Sequence, residues 1–477
     1  MPDLVPTPLP PVRRRLTEIE YVNWCFGQPY NIAVVVHLLG PVTVAGVRAA
    51  VAGLQRRHPL LGVTTVVDQD GTPWLDSAGV GPVPVRVIGH AGPHAAARLL
   101  DEEVATPFVM DRVAAAPDEH PGARPPLLRV VVLVPRQPGG GLDVVLGAQH
   151  VIVDGLSMFF LVRDLLGLVR TPDPTPAVVD AAARCERVLP PEAGRIYRTP
   201  AAALTVRALL RTYLALRSVM RRRPIPGRGP GAGSPGQGSP GQGSPVPRPG
   251  GGQLSGAGQT PVHSWQLPPD RTAALLRRCR AEGVSVQSAL CTAFLPSYGA
   301  VNTPVNLRGR LAVDASESVG LYVGNAVVMR SYRDRRDFWW NARTFHRRLR
   351  RAMRDPFLMI RFCPSTVPRP VVHDVMTGMM ALVGHRRPLA VTNLGVLDGA
   401  GLTLGTGDGP RVESFHAGMS GFASASVLTV YTIDGVMHFH LRGRPDMTDE
   451  QTAQEAERAT ALLLAALRTP DSRAHGR

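Results

Sequence analysis

Apolar positions divide the chain into short strands and amphipathic helices. Short runs of β-branched residues predict strands, and apolar residues three and four positions apart predict helices. The predicted strands cover 31–39, 63–67, 127–134, 142–148, 262–267, 326–329, 389–394, 426–433 and 436–441. The predicted helices cover 44–58, 95–104, 157–169, 271–282, 286–295, 338–353 and 448–467. Because strands and helices alternate irregularly, the pattern indicates mixed α/β layers and not a regular βαβ repeat.

The middle of the chain departs from this pattern. Pro224 to Thr260 contains a tandem GSPGQ repeat, a composition that predicts a flexible linker without a core. Thr205 to Arg223 has apolar residues at helical spacing and several arginines, which predicts a helix packed on its own domain. A peripheral membrane, lipid or carrier-protein contact is the alternative for that helix. We therefore divide the chain into an N-terminal lobe (1–200), a basic helix with linker (201–260) and a C-terminal lobe (261–477).

Composition and charge narrow the class of function. The formal net charge is +16, but all 53 basic residues are arginines spread along the chain, so no nucleic-acid binding is expected. The five cysteines show no CxxC spacing, which favours a reducing cytoplasm and argues against a metal site. No apolar run reaches the ~18 residues of a membrane span. The proline-rich N-terminus lacks the apolar segment of a secretory signal, so a cytoplasmic location is predicted.

One stretch links a predicted buried strand to a predicted helix and carries candidate chemistry. His150 follows the strand over 142–148, Asp154 comes four residues later, and Gly155 permits the turn into the helix. A histidine titrates near neutral pH, so it can take a proton from a hydroxyl, amine or thiol and return it. The alternative is a core histidine with Asp154 as a helix N-cap. His58 is a second candidate base, but its position at a helix end favours a structural role.

His150 to Gly155 resembles the HHxxxDG motif of the condensation-domain and chloramphenicol-acetyltransferase-like acyltransferase superfamily. Gln149 stands in place of the motif's first histidine. Five further segments resemble short sequence motifs of that superfamily and occur in the same order along the chain. They are Arg15 to Glu20, Arg57 to Leu61, Pro126 to Arg129, Pro304 to Arg308 and Val391 to Gly395. The last segment is similar to the alcohol acyltransferase and polyketide-associated mycolipid acyltransferase branches. The resemblance covers most of the chain.

The resemblance implies a fold and an activity. The fold would be two chloramphenicol-acetyltransferase-like lobes, each a mixed β-sheet with flanking helices, arranged as a V around a central channel. The activity would be acyl transfer to a small-molecule alcohol or amine, in natural-product or lipid biosynthesis. The donor would be a thioester of coenzyme A or of a phosphopantetheinyl acyl carrier protein, with no bound cofactor. The alternative is a non-catalytic docking or recruitment module of a biosynthetic assembly line.

The resemblance also implies residue roles. The motif's second histidine is catalytic in the family, so His150 would be the general base. Asp154 would pair with Arg308 across the lobes, because a planar guanidinium can meet a carboxylate through two hydrogen bonds. The candidates for oxyanion stabilisation or for lining the channel are Gln149, Gly155, Thr392 and Asn393. The Gln149 side chain can hydrogen-bond but cannot act as a base.

Overall fold

The computed structural model describes residues 13–25, 29–69, 71–89, 95–109, 123–135, 141–170, 261–311, 314–354, 358, 387–397, 409–420 and 425–469. The basic helix and linker predicted within 201–260 lie outside these residues. The division of the chain at 200 and 260 therefore stays a prediction. Within the described ranges, no helix is both long enough and apolar enough to cross a membrane.

The first half of the chain builds a mixed sheet with helices on both faces. Its elements are β1 (Arg13–Arg15), α1 (Glu18–Cys25), β2 (Asn31–Leu39), α2 (Val44–Arg57), β3 (Thr64–Val67), β4 (Pro73–Asp76), β5 (Val85–Gly89), α3 (Ala95–Ala105), β6 (Leu128–Val134), β7 (Leu142–Gln149) and α4 (Gly155–Arg170). Strands β2, β7, β6 and β5 are adjacent in that order, and only β5 and β6 are parallel. Strands β1, β4 and β3 form a separate antiparallel sheet.

The second half builds a six-stranded mixed sheet. Its elements are β8 (Val262–Leu267), α5 (Pro269–Glu282), α6 (Val286–Phe294), β9 (Ala300–Asn306), β10 (Val323–Met329), α7 (Phe338–Met353), β11 (Pro388–Val396), β12 (Arg411–Met419), β13 (Ser426–Ile433), β14 (Val436–Arg442) and α8 (Asp449–Arg468). The strand order is β10-β9-β11-β13-β14-β8, with β11 parallel to both β9 and β13. The predicted mixed α/β class is confirmed, and the V-shaped arrangement stays a prediction.

Strand β12 pairs with the sheet of the first half, although it lies in the second half of the sequence. It runs antiparallel to β2, with Phe415 opposite Val36. The buried Phe415 ring meets the Tyr431 ring edge-on, with centroids 5.2 Å apart. The Tyr431 hydroxyl donates a hydrogen bond of 2.6 Å to the Phe415 carbonyl. Side chains from both halves therefore share one apolar core.

Strand β7 is the central support of the first sheet. Every residue from Leu142 to Gln149 is buried, which explains why this strand reads as a nearly continuous apolar run. Side chains of α2 and α4 pack on one face of the sheet, and side chains of α3 pack on the other. Burial of each aliphatic side chain contributes about 1.5–3 kcal/mol. The loop that follows β7, which begins with His150, is therefore anchored to a rigid strand.

Most predicted elements are confirmed, with shifts at their ends. The helix predicted over 157–169 begins earlier, at Gly155, because the Asp154 carboxylate accepts a hydrogen bond of 2.8 Å from the Ser157 N–H and caps the helix. Five strands were not predicted from the sequence, namely β1, β4, β5, β9 and β12.

Candidate active site

The loop between β7 and α4 places His150 at the boundary of the two halves. The His150 backbone N–H donates to the Tyr30 carbonyl at 2.9 Å. The imidazole stacks on the Tyr30 ring, with centroids 4.9 Å apart. Its Nδ1 lies 2.7 Å from the Val153 carbonyl oxygen. Because a carbonyl can only accept, Nδ1 carries the proton and Nε2 is the nitrogen that can accept one.

Burial determines the charge of this imidazole. It lowers the pKa of His150 below the ordinary value of about 6.5, although the Val153 hydrogen bond and the Asp154 charge act in the opposite direction. His150 is only 7% exposed. The imidazole is therefore neutral at pH 7, which is the state that a general base requires.

His150 lines a cavity of about 60 Å³ whose walls come from both halves of the chain. Tyr30, Gly155 and Met158 contribute from the first half. Asn302, Asn325, Thr392 and Leu394 contribute from the second half. The second-half wall contributes the amide and hydroxyl groups of Asn302, Asn325 and Thr392, and the first half adds those of Asn23 and Tyr30.

The predicted pairing of Asp154 with Arg308 is present and joins the two halves. The two Arg308 terminal nitrogens lie 2.8 and 3.0 Å from the two Asp154 oxygens. The Ser157 hydroxyl and the Tyr322 N–H also donate to the carboxylate, at 2.8 and 3.0 Å. Both charged side chains are buried, with exposures of 1% and 3%. The planar guanidinium thus meets the carboxylate through two hydrogen bonds.

This network keeps Asp154 ionised and positions the loop. Burial alone would raise the pKa of Asp154, but the Arg308 charge and hydrogen bond, with those from Ser157, hold it below the ordinary value. Asp154 also caps α4 through the Ser157 N–H. The carboxylate is fully occupied by these donors, so it orients the β7–α4 loop and does not hydrogen-bond His150. From the sequence, pairing with Arg308 and capping α4 were alternative roles for Asp154. The structure shows that Asp154 has both roles.

The other predicted site residues separate into two groups. Gly155 and Thr392 line the cavity, whereas Gln149 and Asn393 do not. The Gln149 side chain is fully buried, and its Oε1 accepts a hydrogen bond from the Val151 N–H. Asn393 is exposed, and its Oδ1 accepts a 2.9 Å hydrogen bond from the Gly395 N–H. The Thr392 hydroxyl is buried and has no hydrogen-bond partner among the described residues.

Sequence reasoning missed three residues that shape the site, namely Tyr30, Asn302 and Asn325. The Asn302 Nδ2 donates to the Asn325 Oδ1 at 3.4 Å, while its own Oδ1 lacks a partner within the described part of the chain. The register of β9 and β10 brings the two asparagines together, since Asn325 pairs with Pro304 and Asn302 pairs with Val327. The one local sign of a site here was Asn302, a polar residue in the otherwise apolar start of β9.

His58 has a structural position outside this cavity. Its Nε2 lies 2.9 Å from the Asp164 Oδ2, and both side chains are buried. This pair links the end of α2 to α4, as the position of His58 at a helix end suggested. No group of His, Cys, Asp and Glu side chains within the described ranges has the arrangement of a metal site.

The overall fold is similar to that of several solved proteins. The first condensation domain of the calcium-dependent antibiotic synthetase superposes with a TM-score of 0.64 at 21% identity, covering 97% of this chain and 98% of that one. TRI3 trichothecene 15-O-acetyltransferase from Fusarium sporotrichioides gives 0.60 at 12% identity, covering 96% of each chain. Polyketide synthase associated protein 5 from Mycobacterium tuberculosis gives 0.57 at 15%, covering 96% of this chain and 98% of that one.

Sequence comparisons find no counterpart for the chain. No protein-family model matches the sequence. No curated protein matches it either. The structural likeness nevertheless spans nearly the whole chain in each of these comparisons. The chain therefore shares its fold with these condensation-domain and acetyltransferase structures, as the resemblance of its motifs implied.

Proposed function

We propose that this protein is an acyltransferase that moves an acyl group from a thioester donor to an alcohol or amine, with His150 as general base. The observation that carries the proposal is the His150 imidazole itself. It lines the cavity between the halves, is neutral at pH 7, and has Nδ1 fixed on the Val153 carbonyl. Nε2 is thereby left as the proton acceptor. The names of the structural neighbours, which include an acetyltransferase and condensation domains, support the same class of reaction.

The reaction needs one proton shuttle and no acyl-enzyme. Nε2 takes the proton from the acceptor hydroxyl or amine as its oxygen or nitrogen attacks the thioester carbonyl. A tetrahedral oxyanion forms, then collapses as the carbon–sulfur bond breaks. The imidazolium returns the proton to the departing thiolate, so the products are an ester or amide and a free thiol. A positioned base of this kind contributes about 10²–10⁴-fold to the rate.

Two groups in the cavity can stabilise the oxyanion. Gly155 is the first residue of α4, so its N–H is one of the helix's unpaired amino-terminal donors. Thr392 lines the same cavity from the second half, and its hydroxyl lacks another partner among the described residues. Removing one such donor typically lowers the rate by about 10²–10³-fold. Gln149 and Asn393 take no part in this proposal because they do not line the cavity.

The proposed donor is a thioester of coenzyme A or of an acyl carrier protein, and the proposed setting is natural-product or lipid biosynthesis. A net charge of +16 favours approach of such anionic donors. Intact mass spectrometry of candidate alcohols and amines, incubated with the protein and a panel of acyl-coenzyme A thioesters, tests the activity. The expected result is an acceptor heavier by one acyl group and a protein of unchanged mass. A stable acylated protein would contradict direct transfer, and an unmodified panel, including carrier-protein thioesters, would favour a docking module.

A further inference from the structure

The paired strands β2 and β12 build an apolar surface inside the cavity. In their antiparallel register, Ile32 lies opposite Met419 and Val34 lies opposite Ala417. Because directly opposite residues of neighbouring strands point to the same face of a sheet, these side chains form one continuous surface. All of them line the cavity that contains His150. We call this surface, made by Ile32, Val34, Ala417 and Met419, the apolar floor.

The apolar floor begins beside the imidazole. Tyr30 stacks on His150 and lines the cavity together with Ile32, which follows it two positions later in the chain. Because side chains two positions apart in extended backbone lie on the same side, the path from His150 along β2 passes Ile32 first and Val34 second. The floor therefore lies where a group attached to the thioester carbonyl would extend away from His150.

Large side chains limit the apolar floor on two sides. Met158 of α4 is fully buried and lines the cavity. On β12, the next residue after Ala417 on the same face is Phe415, whose buried ring meets the Tyr431 ring edge-on. Residue sizes along this face of β12 therefore run from Met419 through the small Ala417 to Phe415. Space remains beside Ala417 and ends at the aromatic pair.

The size of the cavity limits the group that can lie on this floor. Its volume is about 60 Å³. Since about 10–15 Å³ of such space holds one water-sized group, the cavity has room for about four to six non-hydrogen atoms, the size of a propanoyl or butanoyl group. A much longer chain would have to displace Met419 or separate Phe415 from Tyr431. A close-packed interior resists such added volume.

We infer that this protein selects a short aliphatic acyl group, of about two to four carbons, and that Ala417 and Met419 set the limit of length. The acyl chain lies on the apolar floor, because the side chains there offer apolar contact and no hydrogen bond. Its carbonyl carbon stays beside His150. That an acyl group is the ligand rests on the proposed function, whereas the size limit rests on the register of β2 and β12 and on the volume of the cavity.

Transfer rates with acetyl, butanoyl and octanoyl thioesters of a donor that the wild-type protein uses test this limit. The kcat/KM for the octanoyl group should be at least about tenfold below that for the butanoyl group. Met419→Ala removes most of a partly buried side chain from the floor and should raise the octanoyl-to-butanoyl ratio at least about tenfold. Octanoyl transfer as efficient as butanoyl transfer by the wild-type protein, or an unchanged ratio in Met419→Ala, overturns the inference.

A second variant should move the limit in the opposite direction. Ala417→Leu fills the space between Met419 and Phe415, so it should lower the butanoyl-to-acetyl ratio of kcat/KM at least about tenfold. Met329→Ala is the matched control, because Met329 is 44% exposed on β10 and does not line the cavity. The control should keep the wild-type ratios, and circular dichroism verifies that each variant is folded.

Isothermal titration with S-ethyl, S-butyl and S-octyl coenzyme A separates the size limit from the catalytic proposal, because these thioethers cannot transfer their alkyl chains. The wild-type protein should bind the butyl compound at least about tenfold more tightly than the octyl compound, and Met419→Ala should lose that preference. If no acceptor is acylated while the preference persists, the proposed function is wrong and the size limit stands. If transfer occurs without a chain-length preference, the size limit is wrong and the function stands. Equal affinities across the thioethers, or no binding of any of them, also count against the inference.

Discussion

At the scale of single residues, local spacing predicted where the proposed general base lies but not which residues surround it. His150, Asp154 and Gly155 follow one another at the end of a buried strand, so their shared position was readable from the sequence. The residues around them come from distant segments: Tyr30 stacks on the imidazole, and Asn302 lines the same cavity. The inward turn of Gln149 was equally unpredictable, since only tertiary packing decides which side chain of a loop is buried.

The Asp154 network predicts a large loss of stability. Asp154→Asn should lower the free energy of unfolding by about 3–5 kcal/mol, because it leaves the buried Arg308 guanidinium without its counter-ion. Denaturant titration measures the change. Glu317→Gln is the matched control, since Glu317 pairs with Arg163 at the surface and should change stability by about 0.5 kcal/mol or less. Equal effects of both substitutions would show that the buried pair has no special role.

The buried imidazole predicts a pH profile. Because burial lowers the pKa of His150, kcat/KM should rise with pH through a midpoint below about 6.5 and be level at neutral pH. Folding stability should change in the same direction. Below about pH 6.5 the unfolded histidine binds a proton that the folded one resists, so stability falls as the pH falls. A profile with its midpoint above 6.5 would show that the imidazole is not desolvated as the structure indicates.

At the scale of elements, the spacing of apolar residues and the residues at helix ends predicted most helices and strands. They did not predict which distant strands pair with each other. Strand β12 shows the limit. Its charged and polar residues, Glu413, Ser414 and His416, interrupt the apolar pattern, and its partner β2 lies far away in the sequence. The β-strand propensity of the local sequence cannot predict such a pairing, because the contacts that stabilise it are all long-range.

Strand β12 predicts that the two halves unfold together. Phe415→Ala should lower the free energy of unfolding by about 3–5 kcal/mol, because it removes a buried ring from the core that both halves share. The loss should appear as one shifted transition in circular dichroism and in tryptophan fluorescence. Val396→Ala, at a position that is 63% exposed, should change little. Separate transitions for the two signals would show that the halves are energetically independent.

At the scale of the whole molecule, the resemblance predicted the two-lobed fold, but the sequence did not show how closely the lobes approach. Gly155 marks that approach. A β-carbon at this position would lie 2.7 Å from the Leu394 side chain of the second half. The sequence suggested a glycine for the turn, but Gly155 does not have a positive φ; the structure shows that the missing side chain leaves room for Leu394 at the cavity wall.

Gly155 predicts a separation of activity from folding. Gly155→Val should displace Leu394, narrow the cavity and reduce kcat/KM at least about tenfold, with a stability loss of about 1–3 kcal/mol from overpacking. Gly167→Ala is the control on the same helix, since its β-carbon would meet nothing within 4 Å and should stabilise the helix by about 0.5–1 kcal/mol. Wild-type activity in Gly155→Val would mean that the substrate does not pass this point.

The most direct test of the account is the rate of acyl transfer by His150→Ala with a donor and acceptor that the wild-type protein uses. Release of the free thiol gives the rate, and circular dichroism verifies the fold. Since the imidazole supplies a proton acceptor at Nε2, the variant should be slower by about 10²–10⁴-fold and remain folded. A folded alanine variant that transfers acyl groups at the wild-type rate would contradict the central claim that His150 is the general base.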